Sequence, residues 1–168
     1  MSKDAGGLTF SVAEIRESQG MFTELALTSD DLMIEPVEDA KLADPVTAVL
    51  DFSVGGDLIL LQATLTGAWL TGCSRCLVAH RAGFSAVTEE TYPMDQETID
   101  LGPELRDVVL TEVPQRSLCR TDCKGLCAVC GINLNEGACG CPPPAPLPLD
   151  EEQKKSPFAA LKKFKTKD

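Results

Sequence analysis

Eight cysteines, at positions 73, 76, 119, 123, 127, 130, 139 and 141, are the residues of this chain best suited to chemistry. Cys73-Ser-Arg-Cys76 is one pair with a two-residue gap, and the other six fall within 23 residues. An even count serves disulfides or metal equally, so the compartment decides. The first residues, MSKDAGG, carry one lysine and no apolar run, unlike a signal peptide, so the expected location is cytoplasmic, where thiols stay reduced. Reduced, clustered thiolates point to a metal, and eight of them complete two tetrahedral zinc sites. Gly131, directly after Cys130, suits a zinc knuckle, whose tight turn aims backbone N–H groups at sulfur. The spacing predicts a local site of Cys127, Cys130, Cys139 and Cys141. The second site joins Cys73 and Cys76 to Cys119 and Cys123, tying a hairpin to the loop after a helix. Four-cysteine ligation also serves iron–sulfur clusters. Two other chemistries use the same residues: a thiol–disulfide oxidoreductase built on Cys73 and Cys76, and a metal-delivery protein. The redox pair wants its first cysteine at a helix N-terminus in a βαβ unit, whereas this pair sits between predicted strands.

Nothing else resembles a catalytic set, and no enzyme is expected. The single histidine, His80, reads as an exposed strand residue rather than a ligand, and Trp69 and Tyr92 read as core aromatics. The chain has 26 acidic against 15 basic residues, a net charge of −11 and a pI near 4.5. Six lysines after residue 150 give the last 18 residues a net +3 and leave −14 on residues 1–150. Such a body repels phosphate backbones as a whole. Arg75, Arg116, Arg120 and Lys124, all within or beside the cysteine motifs, and Lys162, Lys163 and Lys165 in the tail are the candidate contacts to RNA or a partner. The alternative is that the first four merely offset the charge of thiolate sites.

These motifs need elements to position them. Val46, Ala48, Leu50, Phe52 and Val54 recur with a period of two, Gly55-Gly56-Asp57 turns the chain, and Leu61, Ala63, Leu65 and Trp69 return on one face. Phe84, Ala86 and Thr88 mark a third strand, giving a three-stranded meander, and Gly67 reads as a bend or bulge. Pro103 opens an amphipathic helix through Leu105, Val108, Val109 and Val113, which Pro114 stops. Ser11 with Glu14 fits a helical capping box, Met21–Thr28 alternates only roughly, and the acidic segment 30–44 reads as an exposed connection. From 118 to 141 neither period holds, so metal must order the segment. The expected class is α+β: an antiparallel sheet, a short packed helix and a cysteine-rich zinc-binding lobe. The expected divisions are residues 1–45, an N-terminal segment; 46–117, sheet and helix; 118–141, the lobe; and 142–168, a proline-rich linker with a basic tail. No run is long and apolar enough to predict a membrane helix.

CSRCL at 73–77, IDLGPELRDVVLTEVP at 99–114, LCRTDCKGLCAVCGINLNEGACGC at 118–141 and SPFAALKKFK at 156–165 together resemble the YceD family, the large ribosomal RNA subunit accumulation proteins. The resemblance covers about the C-terminal half of the chain. It implies a non-enzymatic bacterial or plastid factor needed for accumulation of large-subunit (23S) ribosomal RNA. The implied partners are precursor large-subunit RNA, a basic large-subunit ribosomal protein, or both, with no membrane and no small-molecule substrate. Some members of the family keep the first cysteine pair without much of the second cluster, which implies a chiefly structural part for the 127–141 site.

Overall fold

The computed structural model describes residues 8–142. Its elements are β1 (Thr9–Ser11), α1 (Val12–Glu17), β2 (Gly20–Leu27), β3 (Lys41–Gly55), β4 (Leu58–Gly72), β5 (Ala79–Pro93), β6 (Thr98–Asp100) and α2 (Gly102–Thr111). Strands β2-β3-β4-β5 form one antiparallel sheet in sequence order, and β1 pairs with β6 in a separate two-stranded ribbon. The class is α+β, mostly antiparallel sheet with two helices and two cysteine clusters that could bind metal.

The alternation in β3 and β4 sorts side chains between faces. Ala48, Leu50 and Phe52 from β3 and Ile59, Leu61, Ala63, Leu65 and Trp69 from β4 are buried in one cluster. Val12 and Ile15 of α1, Leu105 and Val109 of α2, and Ile99 and Leu101 join the same core. Pro103 stands in the first turn of α2, where its missing N–H costs nothing. The Gly102 N–H donates to the Asp100 carboxylate at 3.0 Å. Tyr92 of β5 donates its hydroxyl to Glu104, which ties the sheet to α2. Burial and the neighbouring Glu104 carboxylate push the Tyr92 phenol above its ordinary range.

The meander has four strands rather than three. Gly20–Leu27 pairs with β3 from Gly20↔Ser53 to Leu27↔Val46, and β3 itself begins at Lys41, so the sheet crosses residue 45. As an edge strand with Phe22 exposed on one face and Leu27 buried on the other, β2 carries apolar residues on both faces, which blurs its period. The acidic stretch from Asp30 is also more than an exposed connection. Asp31 accepts from the Thr28 N–H and hydroxyl at 2.9 and 2.7 Å, and the turn so made drives Leu32 and Ile34 into the core. Gly67 is not itself the bulge. The register slips on the opposite strand between Ala43 and Thr47, around Pro45, which has no N–H for the ladder. Gly67 is needed because the Phe84 ring lies across it: an added Cβ would sit 2.8 Å from that ring and 3.0 Å from Val46.

Candidate metal centres

The sheet ends where the chemistry begins. β4 runs into Cys73, the turn 73–76 reverses the chain, and β5 leaves from Ala79. In this turn the Leu77 N–H donates to the Cys73 carbonyl and the Cys73 N–H to the Val78 carbonyl, both at 2.9 Å. The Arg75 N–H points at the Cys73 sulfur at 3.4 Å. The same pattern recurs 54 residues later, where Gly131 donates to Cys127 and Cys127 to Ile132 at 2.9 Å, and the Val129 N–H faces the Cys127 sulfur at 3.4 Å. Two short turns of different sequence therefore present their thiols in one way.

Around these turns the eight cysteines converge in two sets of four. Cys73, Cys76, Cys119 and Cys123 form a proximal set against the sheet; Cys127, Cys130, Cys139 and Cys141 form a distal set; within each, the sulfurs all lie within 4.8 Å of one another. Cys73 and Cys123 are 3.7 Å apart and Cys76 and Cys119 3.6 Å. A disulfide needs about 2.05 Å. A tetrahedron with metal–sulfur bonds of about 2.3 Å has sulfur–sulfur edges of about 3.8 Å. The proximal sulfurs are thus spaced for one tetrahedral ion. Cys73, Cys76 and Cys123 are buried and Cys119 half-buried, whereas Cys130 of the distal set is exposed and its other three are half-buried.

The thiols within each set are driven apart in acidity. The backbone N–H groups of Cys119, Cys76 and Arg75 hold Cys73 down to about 5 against its burial. Cys119, desolvated and beside Cys76 and Cys123, is pushed up to about 12. Burial opposes ionisation of Cys123, yet the Asn135 amide and the Gly125 N–H lower it; the Val78 N–H draws Cys76 down, but burial and Cys73 leave it raised. In the distal set the N–H groups of Cys130 and Val129 hold Cys127 at about 6, while Cys130 and burial push Cys141 up to about 12. Cys139 is raised by Cys127 and burial against the Cys141 N–H. Four thiolates so close repel one another, and a divalent cation removes that repulsion for all four.

The proximal set spans two distant segments, and polar contacts sew them together. Arg75 donates its guanidinium to the Cys123 carbonyl at 2.9 Å and accepts from the Leu126 N–H at 3.0 Å. Gly125, at φ +79°, lets this approach happen, since a Cβ there would meet the Arg75 carbonyl at 3.1 Å. Ser74 and Ser117 exchange bonds, and Ser117 also meets His80 Nε2 at 2.7 Å. His80 is half-buried, not the exposed strand residue expected, and Ser117 is the neighbour that engages its ring.

Asn135, which carried no signal in the sequence, is the hub of the lobe. Its Oδ1 accepts from the Arg120 guanidinium at 2.7 Å and from the Lys124 N–H at 2.8 Å. Two donors on the oxygen fix the amide orientation and leave Nδ2 to face the Cys123 sulfur at 3.3 Å. The loop between Cys130 and Cys139 of the distal set thereby supports Cys123 of the proximal set. Among the candidate contact residues, Arg75 and Arg120 are exposed but hydrogen-bonded to the lobe, Arg120 also pairing with Asp122 at 3.5 Å. Arg116 and the side chain of Lys124 are exposed. Lys162, Lys163 and Lys165 lie outside the described residues.

Among the described residues no helix is long and apolar enough to cross a membrane. No solved structure matches the chain. Two chloroplast proteins, both named large ribosomal RNA subunit accumulation protein YCED homolog 1, are similar to it. The one from Arabidopsis thaliana is 38% identical over 50 residues, 30% of this chain and 16% of its own length. The one from Zea mays is 38% identical over 53 residues, 31% and 18% respectively. The chain thus matches under a fifth of these relatives' length. An uncharacterized protein of Mycobacterium bovis is similar over more of both chains, at 28% identity over 152 residues, 77% of this chain and 72% of the relative. Residues 79–165, slightly more than half of the chain and including β5, α2 and six of the eight cysteines, match the family described as large ribosomal RNA subunit accumulation protein YceD, and the chain belongs to that family.

Proposed function

We propose that the protein is a non-enzymatic, cytoplasmic factor of ribosome biogenesis that supports accumulation of large-subunit (23S) ribosomal RNA, with structural zinc in both cysteine centres. The family match over residues 79–165 carries this reading. Zinc is supported by the donor set: four thiolates suit a borderline-soft ion with no geometric demand of its own. The close spacing of the sulfurs favours a single ion over an iron–sulfur cluster, in which different cysteines bind different irons. The acidic body, net −14 over residues 1–150, favours action beside precursor RNA through a basic large-subunit ribosomal protein, with no small-molecule substrate and no membrane.

One observation favours the oxidoreductase alternative, the Cys73 thiol held down to about 5. Against it, Cys73 is fully buried among three other sulfurs, whereas an attacking thiolate must reach a substrate disulfide. A metal-delivery protein would draw on the distal centre, where Cys130 is exposed. Metal lability separates the three readings: a structural centre keeps its ions under mild chelation, a redox pair binds none, and a carrier releases them readily. Elemental analysis of protein purified without added metal should find two zinc ions per chain. Depleting the protein from growing cells should lower mature 23S RNA relative to small-subunit RNA. Unchanged RNA with reactive thiols and no metal would sink the reading.

A further inference from the structure

The two cysteine turns share one hydrogen-bond pattern but differ in the residue after the second cysteine. In the distal turn it is Gly131, at φ +73° with open space where a Cβ would stand. In the proximal turn it is Leu77, at φ +62°. An L side chain is penalised there because its Cβ crowds the following carbonyl, and leucine has no short polar group to compensate. Burial does not hold Leu77 in place: it is 71% exposed, and Val78 beside it is 47% exposed. Glycine would serve the turn better, so the leucine is not there for the turn. Strained residues whose surroundings force them cluster at ligand clamps.

Leu77 lines a cleft of about 230 Å³ between the proximal turn, the 37–40 turn and the connection after α2. Val37, Val113 and Pro114 make its other apolar surfaces, and Glu38 and Asp39 supply two carboxylates. Glu38 is a second left-handed residue on the same cleft, at φ +52°. Apolar side chains beside two acidic residues, on a body of strongly negative charge, complement a basic chain with an apolar side chain and repel a phosphate backbone.

We propose that this cleft, with Leu77 as its apolar anchor, is the docking site for a basic segment of a protein partner. The partner's apolar side chain packs against Leu77 and Val113 while its lysines or arginines meet Glu38 and Asp39. This deepens the function proposed above, on which it rests, because it gives the basic ribosomal-protein partner a place. It also gives the proximal metal a task beyond stability, since the turn that presents Leu77 is closed by Cys73 and Cys76.

The test uses the full zinc-loaded chain and, as probe, the proteins of purified large ribosomal subunits freed of RNA, with bound proteins identified by mass. Wild type, Leu77→Gly and the double variant Glu38→Lys/Asp39→Lys are compared for binding and thermal unfolding. The wild type should retain a basic protein. Leu77→Gly should unfold at the same or a higher temperature, because the strain is relieved, yet bind that protein at least tenfold more weakly. The double variant should lose binding and its salt dependence together. Unaltered binding by Leu77→Gly overturns the docking site while leaving the functional reading intact. Unfolding of Leu77→Gly at a clearly lower temperature overturns it as well, because Leu77 would then be covered by this chain itself. A loss on Leu77→Gly of binding to a 23S RNA fragment in place of a protein makes RNA the occupant and overturns it too. If the wild type retains no subunit protein, the partner reading and the docking site fall together.

Discussion

The sulfur of Cys123 accepts from a side chain that belongs to the loop of the other cysteine set. Asn135 stands between Cys130 and Cys139, yet its amide nitrogen lies 3.3 Å from Cys123. Groups that hydrogen-bond a ligating atom and fix its orientation are worth about 10–100-fold in metal affinity. Asn135→Ala should therefore weaken metal binding at the proximal centre within that range while two ions still bind at saturation; chelator competition on the full chain measures it. Asn135→Asp sharpens the test, because the carboxylate still accepts from Arg120 and Lys124 but cannot donate to sulfur. Equal affinity in all three proteins would leave Asn135 as a loop residue only. The cysteines themselves were legible in the sequence, since thiols clustered at one- to three-residue gaps have few other uses, and the structure gathers them in the two sets that their spacing suggested. Asn135 and Leu77 were not, because the importance of one comes from a contact 12 residues away and of the other from a backbone angle. Neither a long-range contact of an asparagine nor a left-handed φ at a leucine is written in residue type, unlike the φ of Gly131.

Among the elements, the strands with a clean period were the legible ones. Phe52, Leu61 and Leu65 all face the core their alternation implied, and α2 starts beside Pro103. β2 was obscured because an edge strand with Phe22 outward and Leu27 inward matches neither a buried nor a half-buried pattern. The irregularity that Gly67 was expected to mark lies across from it, between Ala43 and Thr47 of β3, since a glycine opposite a bulge and a glycine in one read alike. Its partner supplies a test. Gly67→Ala forces the Phe84 ring away from a contact of 2.8 Å, which should cost about 1–3 kcal/mol in denaturant unfolding. Phe84→Leu in the same chain should recover part of that loss. A stable Gly67→Ala would mean that the ring moves freely. The lobe has no helix or strand of its own among residues 118–142, so under the proposed function metal must supply its order. Cys127→Ser should release amide protection in the lobe alone, and Cys73→Ser should also loosen the packing of β4, β5 and α2. Hydrogen exchange that finds only the lobe affected by Cys73→Ser would detach the proximal centre from the sheet.

At the scale of the whole molecule, the net −14 of residues 1–150 and the +3 of the last 18 pull in opposite directions at an RNA surface. Repulsion beyond the screening length of about 8 Å is weak, but at contact it is strong. The purified protein should accordingly bind a precursor 23S fragment poorly, and a basic partner should restore association. Any direct contact by the lysine tail adds a salt dependence of about 0.7 per phosphate on single-stranded RNA, so removing residues 151–168 should lower the slope. Tight binding that survives the truncation would point instead to the open face of the sheet. The order of the strands has a further consequence, in time rather than in space. Each of β2 to β5 pairs with its neighbour in sequence, so the sheet can close by short loops alone. The ribbon must bring Thr9 to Asp100, and the proximal centre must bring Cys73 to Cys123, at a greater cost in chain entropy. A newly made chain should thus close its sheet ahead of both the ribbon and the proximal cysteine set, and pulse-labelled hydrogen exchange that protects either of these as early as β3 and β4 would contradict that order.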